Sequence, residues 1–310
     1  MKIHLFSAKK LVLFVFAFDV LILIHNTFGG DIIKVAAISF EPEKLAINKN
    51  ADKLKKLFRE AAKSDAKIAV APEGAIDGYI VNEIIKGEIP AEKMKEVAIS
   101  IDHLIIREFQ QLAAEIKLCL VFGFAEKVGD DIYNTAIFID NTGKISGKYH
   151  KMQLAEGAHP DWWFNRLGHE ARAFDTPFGR VGLMICNDRW NPLLAQIMKY
   201  DGAQMLIVPS FGSVSKAQDA AVLARSKENQ IPLIEANVGV TLIADGKKIV
   251  AVNREKQAMT IAEIEIPPAG VVQVSNRNQA EMQFLKERIR EMPMRYQNTM
   301  KRLKSQAHGF

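Results

Sequence analysis

Cysteine is scarce in this chain of 310 residues, which holds two, Cys119 and Cys186. That count does not suggest a disulfide-stapled scaffold and leaves a Cys119–Cys186 bridge as the one pairing to consider. The seven histidines are scattered, with no H-x3-H or C-x2-C spacing, so no metal site is expected. No segment is rich in Gly/Ser or Pro and none is of low complexity, so no linker divides the chain and one domain is expected. No apolar run reaches the roughly 20 residues of a spanning helix. Charge of one sign is also lacking over the body. The formal net charge is +5, but seven Lys/Arg against two Glu fall between Lys286 and Lys304. A nucleic-acid groove is therefore not indicated, and the basic tail reads as a solvated helix face or a subunit contact.

What is present is an ordinary globular composition, 48% hydrophobic and 25% charged. The N-terminus differs from the body. Lys2, Lys9 and Lys10 precede a fourteen-residue, mostly apolar stretch, Leu11 to Ile24, interrupted by Asp19. A basic n-region before a short apolar run fits a secretory signal, or an uncleaved membrane anchor, over residues 1–30. Export to a periplasmic or extracellular space, or tethering at a membrane, follows as the expected location.

From Asp31 onward strands and helices alternate. Ile32 to Phe40 and Lys67 to Ala71 read as strands, and Asn50 to Lys63 has helical spacing of its apolar residues. Residues 91–117 read as mostly helical. A strand at 118–124 and a hairpin around Asn141-Thr-Gly143 follow. The second half repeats the plan with a strand at 180–186, a helix at 192–199, a strand at 204–210, a helix at 216–230, a strand at 233–237 and a hairpin across Ala244-Asp-Gly246. Val70-Ala-Pro-Glu73-Gly74 echoes Ile207-Val-Pro-Ser210-Phe211. The expectation is an α/β fold, a four-layer α-β-β-α sandwich with an internal pseudo-duplication. The main domain is taken as 31–280, and 281–310 as a C-terminal helical extension.

Chemistry points to strand ends. Cys186 closes the apolar run Arg180-Val-Gly-Leu-Met-Ile-Cys186 and is followed by Asn187-Asp-Arg-Trp190. A thiol there is open to substrate and to neighbouring charge that lowers its pKa. Cys119 lies inside an apolar run and reads as a buried strand residue. Glu73 follows an apolar strand, and Lys151 follows the hairpin strand Ile145-Ser-Gly-Lys-Tyr149. Singly, the first reads as a helix cap or surface acid and the second as a solvated charge. Together they set a carboxylate, an ammonium and a thiol where open α/β sheets assemble their sites.

These residues carry a resemblance to the carbon–nitrogen hydrolase (nitrilase) superfamily over roughly residues 32–296. Pro72-Glu73-Gly-Ala-Ile-Asp-Gly78-Tyr79 resembles its glutamate segment and Tyr149-His-Lys151-Met-Gln-Leu154 its lysine segment. Val181-Gly-Leu-Met-Ile-Cys186-Asn-Asp188 resembles its nucleophile segment. Ile132-Tyr133-Asn134-Thr, and Ala224-Arg225-Ser-Lys-Glu228-Asn229 followed by Glu235-Ala-Asn237, are similar to further family segments. The resemblance implies a nitrilase-type fold, no cofactor, and a Glu73-Lys151-Cys186 triad. Glu73 would be general base and acid, Lys151 the cation for thiolate and oxyanion, and Cys186 the nucleophile. The backbone N–H of Asn187 would share the oxyanion site. His150 and Gln153 stand where the family usually has Arg and His. For the family's second glutamate the window offers Glu156 and Asp161, with Glu156 preferred.

Asn187-Asp-Arg189-Trp190 is similar to the Asn-Asp-Arg-Arg of N-carbamoyl-D-amino-acid amidohydrolases, whose arginines hold the substrate carboxylate. Arg189 is thus a candidate carboxylate clamp, its alternative being a pair with a local acid. Trp190 and Trp162 are candidate walls of an apolar pocket, with core packing as their alternative. The substrate implied is a linear amide or N-carbamoyl compound. The loops 75–90, 155–175 and 211–216 would shape its pocket. The closing Arg290-Glu-Met-Pro-Met-Arg-Tyr296 resembles the family's last segment and implies a homodimer or higher homo-oligomer. Two other readings stand beside this one. A Cys–His hydrolase would use His150 or His159. An inert or acyl-transferring member of the fold would bind or pass on the acyl group.

Overall fold

The computed structural model describes residues 30–307. The signal or anchor expected over 1–30 therefore lies, apart from Gly30, outside the described residues.

Two six-stranded sheets are built from the same plan. The first runs β12-β1-β2-β3-β4-β5, with β1 Asp31–Ser39, β2 Ile68–Val70, β3 Cys119–Val128, β4 Asp131–Ile139, β5 Ile145–His150 and β12 Ala258–Ile266. The second runs β6-β7-β8-β9-β10-β11, with β6 Ala173–Thr176, β7 Gly179–Leu183, β8 Met205–Ser210, β9 Leu233–Asn237, β10 Val240–Ala244 and β11 Ile249–Asn253. In each, an antiparallel edge strand precedes three parallel strands and two antiparallel ones. The expected pseudo-duplication is thus a topological fact. β2 corresponds to β8, and the echo of Pro72 in Pro209 falls on those two strand ends.

Strand alternation assigns the layers. On β1, Val35 and Ala37 join the large core that includes the second sheet, while Ala36 and Ile38 face the other way. The outward side is covered by α1 (Ile47–Ala62) and α4 (Leu104–Ile116), which bury Leu54, Phe58, Ile106 and Phe109 at helical spacing. Between these helices lie two short ones, α2 (Val81–Lys86) and α3 (Lys93–Val97). The helical reading of 91–117 is broken at 98–103, where Ile99 leaves the helix to bridge Glu126 of β3. The second sheet is covered by α5 (Pro192–Tyr200) and α6 (Lys216–Asn229). The sheets approach closely. A Cβ on Gly147 of β5 would lie 2.2 Å from the ring of Phe174 on β6.

The boundary drawn at 280/281 falls inside one continuous helix, α7, Val274–Ala307. Its first half is not an extension but part of the core, because Ala280 and Phe284 are buried. Arg277 donates to Asp201 at the end of α5 and fixes this packing. The helix continues through Pro293. Strands β6 and β12 add to the expected set; both are edge strands with polar interruptions (Asp175; Glu263 and Glu265).

Candidate active site

The corresponding ends of β2 and β8 meet between the sheets. Glu73 N–H donates to the Ser210 carbonyl at 3.3 Å, and Phe211 N–H donates to Glu73 Oε2 at 2.9 Å. The other carboxylate oxygen, Oε1, accepts from Lys151 Nζ at 2.7 Å and from Asn134 Nδ2 at 2.6 Å. Glu73 and Lys151 are both fully buried. Gly123 of β3 makes room for this arrangement, since a Cβ there would lie 2.7 Å from Glu73 Cα. Burial alone works against the Lys151 charge. Glu73, then Tyr79 and the Cys186 thiol, outweigh it and hold the ammonium well above the usual lysine range.

Cys186 is reached differently from the sequence expectation. Regular pairing of β7 ends at Leu183, Met184 N–H still bonds the Ile207 carbonyl, and Cys186 opens a 3-10 turn, Cys186–Trp190. Its φ is 45°, a left-handed conformation rare for a residue with a Cβ. That sharp turn lifts the thiol out of the strand. Sγ donates to the Phe211 carbonyl at 3.6 Å. One residue, Phe211, thus holds Glu73 by its N–H and Cys186 by its C=O. Burial, and next the Glu73 charge, push the thiol up to about 11, against the pull of Arg189 and Lys151. The resting thiol is therefore protonated at neutral pH, and a base is needed at the moment of attack.

Asp188 ties the cysteine turn to the lysine segment. It accepts from Tyr149 OH at 2.9 Å, Ile185 N–H at 2.9 Å and Gln153 N–H at 2.8 Å. Burial lifts its carboxyl to about 6 despite these donors. Of the two candidates for a further carboxylate, Glu156 is drawn inward and Asp161 stays in solvent. Asn165 Nδ2 donates to Glu156 Oε1, whereas Oε2 is buried without a partner. Burial raises the Glu156 carboxyl, with the Lys151 charge opposing it. A cavity of about 20 Å³ is lined by Asn165, the partner of Glu156, and by Gly74, Tyr79, Asn134 and Phe164 among others. Tyr79 stacks on Phe211 with centroids 4.9 Å apart and places its ring 5.8 Å from Lys151 Nζ.

The substrate-side expectations fare unevenly. Asn187 is buried and its Nδ2 donates to the Gln153 carbonyl at 3.1 Å. Arg189 is 1% exposed, and its guanidinium is engaged by Glu235 and Ser210. Pairing with an acid is realised, through Nη1 and Glu235. Trp190 is 44% exposed, which does not fit the wall of an enclosed pocket. Trp162 packs against Tyr296 and Phe164 and lines an apolar hollow with Ile84 and Met300. His150 Nε2 donates to Glu126 Oε2 at 2.7 Å and stacks on Tyr133, and His159 lies beside Asp161 and Tyr296. Cys119 and Cys186 are both free thiols. Among the described residues no group of three or more His, Cys, Asp or Glu could hold a metal ion.

Several of these residues escaped sequence reasoning. Asp188 and Glu235 could have been suspected, because each is an acid set among strand or turn residues that are otherwise buried. Phe211 acts through its backbone, and no side-chain motif reports that.

The carbon-nitrogen hydrolase family model matches residues 34–275. A nitrilase of Pyrococcus abyssi (strain GE5 / Orsay) is 30% identical over 247 residues, 76% of this chain and 90% of that protein. An N-carbamoylputrescine amidase of Oryza sativa subsp. japonica is 28% identical over 234 residues, 73% of this chain and 71% of that protein. Among solved structures, a mutant of the amidase from Nesterenkonia sp. AN1 matches with a TM-score of 0.64 and 17% identity, covering 77% of this chain and 92% of that one. It shows covalent addition of the acetamide moiety of fluoroacetamide at the active-site cysteine. With two helix-flanked sheets and a family match across most of its length, the chain belongs to the carbon–nitrogen hydrolase family of the nitrilase superfamily.

Proposed function

We propose that the protein hydrolyses the carbon–nitrogen bond of a linear amide or N-carbamoyl compound through an acyl-enzyme on Cys186. The observation that carries this reading is the double grip of Phe211, which sets the Glu73 carboxylate and the Cys186 thiol on one peptide residue, with Lys151 on the same carboxylate. In the attacking step Cys186 Sγ bonds to the carbonyl carbon while its proton passes to Glu73. The oxyanion is met by the Lys151 ammonium and, on family resemblance, by the Asn187 backbone N–H. Collapse of the tetrahedral intermediate expels the amine or ammonia, which takes the proton from Glu73. Water then attacks the thioester, again giving a proton to Glu73, and the acid leaves as the thiol is restored. Glu156, with its free buried oxygen beside Asn165, is the proposed second carboxylate, orienting the leaving nitrogen or the water.

Support also comes from what the amidase of Nesterenkonia sp. AN1 does with fluoroacetamide at its cysteine. A carboxylate-bearing carbamoyl substrate finds no free cation in Arg189, so neutral amides and carbamoyl groups are favoured. An inert scaffold or an acyltransferase is the competing reading. The test is ammonia release from primary amides, N-carbamoyl amino acids and nitriles, with mass spectrometry of Cys186 and Cys186→Ala as control. The expected result is ammonia from at least one amide or carbamoyl class and an acyl adduct absent from the alanine variant. No release and no adduct with any of them would refute the enzyme.

Residues 1–30 are proposed to direct export or tethering, and α7 to join protomers. Its exposed Met282, Leu285 and Ile289 recur at helical spacing and form an apolar stripe suited to a second copy. Size-exclusion chromatography giving only monomer would count against that.

A further inference from the structure

Three residues beyond the nucleophile, the chain places a second cation against the sulfur. In a 3-10 turn residues i and i+3 eclipse, so the side chains of Cys186 and Arg189 share one face of Cys186–Trp190. Arg189 Nη2 donates to Cys186 Sγ at 3.7 Å. The other arm, Nη1, donates to Ser210 Oγ at 2.7 Å and to Glu235 Oε1. Glu235 is held in turn. Its Oε1 also accepts from Ser210 Oγ at 2.8 Å and from Gln218 Nε2 at 3.2 Å. Arg225 of α6 donates to the Arg189 carbonyl at 3.3 Å and fixes the turn itself. The guanidinium is a planar fork, and here one tine is anchored so that the other meets sulfur.

We propose that Arg189 serves the nucleophile rather than the substrate, holding the negative sulfur through Nη2 while Glu235 and Ser210 hold Nη1. This rests on Cys186 being the nucleophile. Lys151 alone leaves the sulfur short of positive charge, because its ammonium is already matched by Glu73 at 2.7 Å. The charged and titratable groups around the sulfur are Glu73, Lys151, Tyr79 and Arg189, and around the guanidinium Glu235, the thiol and Glu73, with Asp219 of α6 acting on Glu235. Arg189 pulls the thiol downward, and burial together with Glu73 pulls it upward. The same sulfur leaves as a thiolate when the acyl-enzyme is hydrolysed, so a donor at Sγ assists both halves of the reaction.

The test is the alkylation rate of Cys186 by iodoacetamide between pH 6 and 9, read on the Cys186 peptide by mass spectrometry. Arg189→Met strands the buried Glu235 charge and endangers folding, so the variant used is Arg189→Met/Glu235→Leu, with circular dichroism as the folding control. Its alkylation is expected to be about tenfold slower at each pH, the effect of a thiol raised by one unit. Arg189→Lys keeps the charge but has no second arm, and about threefold slowing is expected. For a neutral amide, kcat falls in both variants while KM holds. Folded variants alkylated as fast as wild type would overturn the proposal. So would a loss confined to KM for carboxylate-bearing substrates, the mark of a substrate clamp. Wild-type Cys186 that resists iodoacetamide would instead remove the nucleophile itself, and this inference with it.

Discussion

Breaking the Lys151–Glu73 pair should cost more stability than removing both of its members. The two side chains are fully buried with Nζ 2.7 Å from Oε1. At that separation and an effective dielectric of 20 the attraction is about 6 kcal/mol. It offsets a desolvation cost of several kcal/mol per ion, and removing one partner leaves the other uncompensated, at about 3–5 kcal/mol. Lys151→Met keeps the aliphatic volume and leaves Glu73 with the Asn134 and Phe211 donors. Glu73→Gln leaves the ammonium with an amide oxygen and the Tyr79 ring 5.8 Å away. Each single variant should lose about 3–5 kcal/mol, and Lys151→Met/Glu73→Gln should lose no more than either alone. The coupling energy is then about 3 kcal/mol or greater. The assay is urea unfolding of the four proteins at pH 7, comparing midpoints at a common slope. All three variants should be inactive, so stability and not turnover carries the argument. Single losses below about 1 kcal/mol, or a double variant that merely adds them, would refute an ion pair that matters to the fold.

Other substitutions probe the groups around this pair. Gly123→Ala drives a Cβ to within 2.7 Å of Glu73 Cα, so a shift of the acid, a loss of about 1–3 kcal/mol and a fall in kcat are expected; unchanged kcat and melting temperature would contradict it. Glu156→Gln should lower turnover at least about tenfold. Because burial raises the folded Glu156 carboxyl above its unfolded value, the stability it contributes is present at low pH and lost as pH rises. The wild type should therefore lose stability relative to Glu156→Gln as pH rises above the ordinary carboxylate range, and unfolding midpoints that stay parallel as pH rises would oppose this. Asp188→Asn puts an amide where one carboxylate oxygen accepts from both Tyr149 OH and Ile185 N–H. It strands the latter at about 1–3 kcal/mol, and a melting temperature equal to wild type would count against that role.

Much of this fold is legible because buried parallel strands announce themselves. Ile68 to Val70 and Met205 to Val208 are continuous apolar runs covered on both faces, and their shared Pro marks the duplication. Edge strands β6 and β12 are harder to read, since one side of each is unpaired and tolerates Asp175 and Glu263. In the site, residues that act by side-chain chemistry stand out at strand ends: Glu73, Lys151 and Cys186. Residues that act by geometry do not. The positive φ of Cys186 has no sequence signature, and neither does the peptide of Phe211 that links acid and thiol. Arg189 shows the limit most clearly. Its neighbours in sequence resemble a substrate clamp, but its partner Glu235 is 46 residues away and only the folded sheet brings them together.

The two corresponding strand ends also set a timetable. Glu73, Lys151 and Cys186 all precede β8 in the chain, while the Phe211 peptide that links the acid to the thiol and the carboxylate that anchors Arg189 come after it. On the proposed mechanism, a growing chain that has made its first 190 residues holds Glu73, Lys151 and Cys186 but none of that assembly. The chemistry is armed only when the second sheet closes on the first, so an unfinished or half-folded molecule carries an ordinary thiol rather than a working nucleophile.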